Sequence, residues 1–370
     1  MKRSSTGRPD ATVTDTIRRV VTTHDPNGKT ILLTDDRIPL PAFAGGKAKG
    51  AVLWTTGTVP ADNIGDVQGE KRAAGMSLKG GSVLRITEFG PGFVSPMHRT
   101  LSIDYAVVLS GMLDLLLDGG EAVKLRPGDA VIQRGTSHAW HNPSADQPCR
   151  IMIAMIEAHP ITIAGKRLRQ TPTWRMIASV LAGTLRRAST YNVAKEKGRP
   201  LVATGIWRVL TGHDASGKAV VLSEQEIDSL PCPALNATRA VLWKTERVPA
   251  DNKNDENPAR AVGSASPYGS AFSIIELTPA SLTKTRVDPS IDYCVVLSGE
   301  AELILDDGNG VLLSAGDVAV LRGTRQAWRN PSPNTSCHIA VCTIEARKPA
   351  YPNAPAKHQT SQKPSMSDPA

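Results

Sequence analysis

Apolar and polar residues alternate over short distances along most of this chain, and helical spacing is rare. SVLRITEF (82–89), YAVVLSG (105–111), MLDLLLD (112–118), AVIQRG (130–135) and RIMIAMIEA (150–158) are rich in Val and Ile or alternate in polarity, and Gly, Pro, Asp or Asn bounds them. Such runs read as β-strands. LDGGE (117–121) and LDDGN (305–309) supply the Asp-Gly pairs of tight hairpin turns. Many short strands at regular spacing predict a sandwich or barrel. One segment departs from this pattern. In PTWRMIASVLAGTLRRAST (172–190), Trp174, Ile177, Leu181 and Leu185 recur at helical spacing, Pro172 suits a first turn, and Arg186 and Arg187 stand where the helix dipole favours cations. It reads as a solvated connector helix packed on a barrel; a helix that meets a membrane surface or an acidic partner is the alternative.

The pattern also repeats. VVTTHDPNGKTILL (20–33) matches VLTGHDASGKAVVL (209–222), AVLWTTGTVPADN (51–63) matches AVLWKTERVPADN (240–252), and GDAVIQRGTSHAWHNPS (128–144) matches GDVAVLRGTRQAWRNPS (316–332). The offset is 189 in the early blocks and 188 in the later ones, so one single-residue deletion relates two copies of about 145 residues. The organisation read from this is a flexible N-terminus at 1–15, a first barrel at 16–168, a basic, partly helical linker at 169–203, a second barrel at 204–348 and a disordered tail at 349–370. A length of 370 residues suits two domains, each with its own core.

Charge and composition narrow the partners. The net charge is +8, and the segment from 165 to 200 holds nine Lys or Arg against Glu196 alone, so it carries the whole excess. The barrels are left balanced, which argues against a nucleic-acid face on them. Five cysteines form no C-x-x-C pair and leave an odd thiol, which fits a reducing compartment. The polar start MKRSSTGRPDATVTD lacks an apolar targeting core, and no run reaches about 18 apolar residues, so a soluble, cytoplasmic protein without a membrane span is the expectation. No G-x-S-x-G, P-loop or dinucleotide-binding glycine pattern appears in a strand–turn–helix context, which weighs against hydrolases, NTPases and Rossmann enzymes.

Residues able to do chemistry gather in the first copy. His98 and Thr100 share a face of an extended segment, Asp104 opens the strand DYAVVLSG, and His138 follows Gly135 by three residues. Two imidazoles and a carboxylate from neighbouring strands can take one face of a divalent transition metal and leave positions open for water, dioxygen or substrate. A hydrogen-bonded polar cluster without metal is the alternative. Arg85, Arg99, Tyr105 and Trp140 are candidate substrate-binding residues. For Arg99 a structural ion pair is the competing reading, and for Tyr105 and Trp140, which recur as Tyr293 and Trp328, it is packing. His141 is out of phase with His138 and reads as outward-facing. The PADN turns read as side-chain-capped.

The spacing resembles the two motifs of the cupin superfamily. The first appears as His98-Arg99-Thr100, three residues, Asp104, six residues and Gly111; the second as Gly128, Gln133-Arg134-Gly135, two residues, His138, three residues and Asn142. The resemblance covers both copies and implies an all-β fold of two tandem double-stranded β-helix barrels with a short connecting helix. It implies one divalent transition metal per chain (Fe, Mn, Zn or Ni) on His98, Asp104 and His138. Thr100, standing where the family has a second His, would orient water or substrate, and Asp104 replaces the family's Glu.

In the second copy Arg286, Asp288, Asp292 and Gln326 stand at the places of His98, Thr100, Asp104 and His138. A guanidinium cannot ligate a cation, so that site is degenerate: either Arg286 pairs internally with the carboxylates, or it builds an anion pocket. The resulting expectation is an enzyme with oxygenase-like chemistry on a small carboxylate, enol or phenol. Decarboxylase, isomerase or other lyase activity, including steps of natural-product pathways, stays open, as does a non-enzymatic ligand-binding or scaffold role. The two barrels would form a pseudo-dimer within one chain, and further association of chains is left open.

Overall fold

The computed structural model describes residues 15–171, 192–193, 205–252, 269–306 and 308–347. Its described residues are almost entirely strand and turn, as the alternation predicts, and contain no α-helix. The helix expected at 172–190 and the tail from 349 lie outside the described residues. Among the described residues no helix is long and apolar enough to cross a membrane.

Two eight-stranded sheets form the body of the molecule. The first runs Ala219–Ile227, Ile206–His213, Ala130–Arg134, Ser102–Ser110, Cys149–Glu157, Ser82–Phe89, Ala48–Thr56 and Ala42–Phe43. The second runs Leu230–Cys232, Ala237–Thr245, Ser270–Leu277, Cys337–Glu345, Ser290–Ser298, Val318–Arg322, Thr16–His24 and Thr30–Pro39. Each sheet therefore takes its outermost hairpin from the other copy. Arg19, Val20 and Val21 pair in parallel with Val318, Ala319 and Val320, and Arg208, Val209 and Leu210 pair in parallel with Ala130, Val131 and Ile132. The repeat boundaries at 16–168 and 204–348 follow the sequence, whereas the sheets trade residues 16–39 for 206–227. Thr22 and Thr324 (2.7 Å) and Thr136 and Thr211 (2.9 Å) join hydroxyls across the two exchanged edges. Smaller sheets close each barrel: Glu121–Leu125, Leu113–Leu117 and His138–His141 in the first, and Gly310–Ser314, Glu300–Ile304 and Ala327–Arg329 in the second.

The alternation along Ser102–Ser110 shows how this arrangement is encoded. Ile103, Tyr105 and Val107 belong to a cluster shared by both copies, while Ala106 and Val108 belong to the interior of the first barrel. Both faces are buried, so the strand reads as a nearly continuous apolar run. In the shared cluster the Tyr105 ring stacks on Phe272 at 5.3 Å. Each such large side chain contributes roughly 1.5–3 kcal/mol through burial. The polar ends of the two tyrosines are satisfied across the seam: Tyr105 Oη lies 2.9 Å from Ser270 Oγ, and Tyr293 Oη lies 2.8 Å from Ser82 Oγ.

The PADN turns form a second seam. Asp62 caps its own turn, accepting from the backbone N–H groups of Ile64 and Gly65. The asparagines instead reach the other copy: Asn63 Nδ2 donates to Ser290 O at 2.7 Å, and Asn252 Nδ2 donates to Ser102 O at 3.1 Å. Each asparagine's carbonyl then accepts from an arginine of the opposite copy at 2.6 Å, Arg322 on Asn63 and Arg134 on Asn252. These contacts fasten each copy's turn directly beneath the other copy's motif segment.

Candidate functional site

The motif segments of the first copy meet through a two-residue bridge. His98 N–H donates to His138 O and His138 N–H to His98 O, both at 2.8 Å, which sets the two imidazoles side by side with ring centroids 4.3 Å apart. Each Nδ1 sits against a nearby carbonyl, His98 on Pro96 O at 2.9 Å and His138 on Thr136 O at 3.0 Å. A carbonyl can only accept, so Nδ1 carries the hydrogen and Nε2 keeps its lone pair. This is the outer support that orients ligating histidines. Burial lowers the pKa of His98 and carries His138 well below the usual imidazole value, with His98 reinforcing the shift at His138. Both rings are therefore neutral at pH 7, the form that donates to a metal.

The pair opens into a cavity of about 560 Å³ whose walls are mostly apolar, with Phe43, Phe93, Ile153 and Met155 among them. Arg85, Thr100, Asp104, His98, His138 and Trp140 all line it. The sequence reading thus brought six of its eight candidates to one place. Trp140 sets its ring edge-on to His138, centroids 5.5 Å apart, and holds the loop before His98 through the hydrogen bond from its N–H to Ser95 Oγ at 2.8 Å.

Two candidates are corrected. Arg99 does not reach the cavity: its Nε donates to Gly135 O at 3.0 Å and its guanidinium lies near Asp118, because a residue beside His98 on an extended segment faces the other way. Tyr105, one position from Asp104, faces the seam between the copies for the same reason. His141 is outside the cavity as expected, with Nδ1 2.9 Å from Asp114 Oδ2.

Asp104 needs a closer look. Ser102 Oγ donates to its Oδ1 at 2.5 Å and Thr100 Oγ1 to its Oδ2 at 3.3 Å. Burial raises its pKa to about 6, against those two hydrogen bonds and Arg85. Among the described residues no three His, Cys, Asp or Glu side chains come together in a group able to hold a metal ion. The residues present therefore fit a two-imidazole donor pair, and the expected third ligand is engaged by hydroxyls instead. Thr100 correspondingly acts on Asp104.

The sequence reading passed over one residue. Gln133 lines the same cavity, is fully buried, and neither its Oε1 nor its Nε2 has a hydrogen-bond partner. An unsatisfied buried amide is costly, so its donor and acceptor are open to a group entering the cavity. Gln133 lies on the strand read at 130–135 and its counterpart is Leu321, and that polar-to-apolar difference at an inward position was the available signal.

In the second copy the frame is preserved. Arg286 and Gln326 make the same reciprocal backbone bridge, at 3.0 and 3.1 Å. Arg286 forms an ion pair with Asp288. All four predicted residues, Arg286, Asp288, Asp292 and Gln326, line a smaller cavity of about 320 Å³.

Comparison with known proteins places this geometry. The model of the family described as Cupin domain matches residues 85–155. Phomopsin biosynthesis cluster protein C' of Diaporthe leptostromiformis is 43% identical over 160 residues, which span 41% of this chain and 85% of that protein. A cupin-domain-containing oxidoreductase of Aspergillus ruber is 33% identical over 156 residues, 40% of this chain and 77% of that protein. Among solved structures, salicylate 1,2-dioxygenase from Pseudaminobacter salicylatoxidans superposes with a TM-score of 0.41 at 16% identity, covering 71% of this chain and 70% of that one.

Proposed function

The chain belongs to the cupin superfamily, and from that premise we propose that its first barrel is an enzyme site for a small oxygenated organic molecule, a carboxylate, enol or phenol, with oxygenase-type chemistry. The observation that carries this reading is the buried pair of neutral imidazoles, each with Nε2 free and Nδ1 anchored, in the wall of a mostly apolar cavity. His98 and His138 would hold a divalent transition metal, which when bound supplies Lewis-acid polarisation of a substrate oxygen or a place for dioxygen.

The protein's own groups do the rest. The apolar walls take the carbon skeleton and exclude water. Arg85, with buried Nε unpartnered and Nη2 on Gly75 O at 3.0 Å, offers its guanidinium to the acid or phenolate. Asp104 faces Arg85 and, fixed by Ser102 and Thr100, holds that cation in position. Gln133 offers one donor and one acceptor to a neighbouring oxygen. The oxidoreductase names of relatives such as the Aspergillus ruber protein support oxygenase over lyase chemistry, and the biosynthesis-cluster names support a place in natural-product assembly.

Metal analysis of the purified chain and of its His98→Ala and His138→Ala variants tests the reading. The expected result is about one divalent transition metal per parent chain and loss of it in both variants. Absence of metal from the parent, or equal metal in all three, overturns it.

A further inference from the structure

The second barrel has lost both imidazoles, yet not all of its polar groups are satisfied: Asp292 is hydrogen-bonded by Thr343 and Ser290 through part of its carboxylate only. Four side-chain atoms of residues lining its cavity are buried without a hydrogen-bond partner: Arg239 Nε, Ser273 Oγ, Asp292 Oδ1 and Glu345 Oε2. Buried polar groups are nearly always paired, and Arg286, the residue that displaced the first imidazole, is already taken by Asp288. A pocket that had merely lost its metal would be expected to close over apolar side chains or pair internally.

The arginine has moved rather than vanished. Arg85 of the first barrel corresponds to Ser273, and Gly50, which sits in the wall of the first cavity, corresponds to Arg239. Gly50 and Arg239 hold equivalent register positions, opposite Thr87 and Ile275. Each barrel thus lines its cavity with an arginine from one of these two adjacent strands, Arg85 in the first and Arg239 in the second, and each feels the charge of the aspartate that both copies retain, Asp104 or Asp292. Filling the place of Gly50 also makes the second cavity smaller, about 320 against 560 Å³.

We propose that the second barrel is a metal-independent binding site for a small zwitterion of the free amino acid type, its carboxylate on Arg239 and its ammonium on Asp292, with Ser273 completing the contacts. The charge around the cavity favours a zwitterion over a bare anion. Besides the Arg286–Asp288 pair, Arg239 and Arg347 are matched by Asp292 and Glu345, whose Oε2 is also buried and unpaired. A simple carboxylate would engage Arg239 and leave Asp292 without its matching cation; an ammonium supplies it. Three rotatable donors suit it to Asp292 and Ser273 together.

Calorimetric titration of the full chain with each of the twenty standard L-amino acids, with L-lactate as the control that carries a hydroxyl in place of the ammonium of L-alanine, tests this. At least one amino acid is expected to bind saturably, with L-lactate at least tenfold weaker than L-alanine or not bound. Arg239→Gln and Asp292→Asn each weaken that binding more than tenfold. Arg239→Gly, the residue the first barrel tolerates at that place, abolishes it and guards against a folding defect. Failure of every amino acid to bind, equal binding of L-lactate, or binding that survives Arg239→Gly overturns the proposal.

Discussion

Asn252→Ala tests whether the two copies stabilise each other through the exchanged segments. The side chain is 5% exposed and its Nδ2 donates to Ser102 O in the other copy. Losing a buried hydrogen bond of this kind costs about 0.5–1.5 kcal/mol, and deleting a buried amide leaves a small void that adds to it. Against this, Asn252 Oδ1 has no partner, so its removal returns part of the loss. The expected net destabilisation is about 1–2 kcal/mol, which raises the unfolding equilibrium constant about tenfold. Urea titration followed by tryptophan fluorescence measures it, with the slope compared between parent and variant to confirm that the same surface unfolds. Because Asn63 makes the mirror-image contact to Ser290 O, Asn63→Ala should lose stability to within about 0.5 kcal/mol of the same value. Both variants should unfold in one transition, since each sheet contains strands of both copies. A change below about 0.3 kcal/mol in either variant, or two resolved transitions in the parent, would refute the reasoning.

Tyr105→Phe separates packing from substrate binding: stability is expected to fall by about 0.5–1.5 kcal/mol through loss of the Ser270 hydrogen bond, while KM for a substrate of the first barrel stays as in the parent. A raised KM with unchanged stability would return Tyr105 to the site. Burial, then Arg99, lowers His213 to about 4, so the unfolded chain takes up a proton first as the medium is acidified and native stability falls as pH drops from about 6.5 to about 4. His213→Gln should lose less stability than the parent across that window in denaturant titrations at several pH values; parallel pH profiles would show that His213 contributes nothing there.

Much of this was readable before any coordinates. The alternation along Ser102–Ser110 separates Tyr105 from Asp104 by face, and the repeat placed Arg286 and Gln326 where the two histidines stand. Four features were hidden for identifiable reasons. The hairpins 16–39 and 206–227 are alike in sequence, and nothing local says which sheet each joins; that choice depends on long-range pairing to 130–132 and 318–320. Gln133 stands on a strand read as such, but its orphaned amide shows only when the surrounding side chains are placed. Arg239 fell one residue before the point where the matched blocks begin, at the place Gly50 holds in the first copy, so an arginine on a different strand from Arg85 looked like an ordinary difference. The engagement of Asp104 by Ser102 and Thr100 likewise depends on rotamers that spacing does not convey.

The traded hairpins also bear on how the chain is made. Thr16–His24 is synthesised some three hundred residues before Val318–Arg322, the strand it pairs with. The first barrel in turn lacks an edge until Ile206–His213 has been added. Neither copy can finish folding on the ribosome ahead of the other, and the nascent N-terminal half must carry an open sheet edge through most of translation. Such edges invite wrong pairing. A cut between 172 and 204 would, by the same logic, give two fragments that each lack an edge strand pair and that complete one another only when both are present.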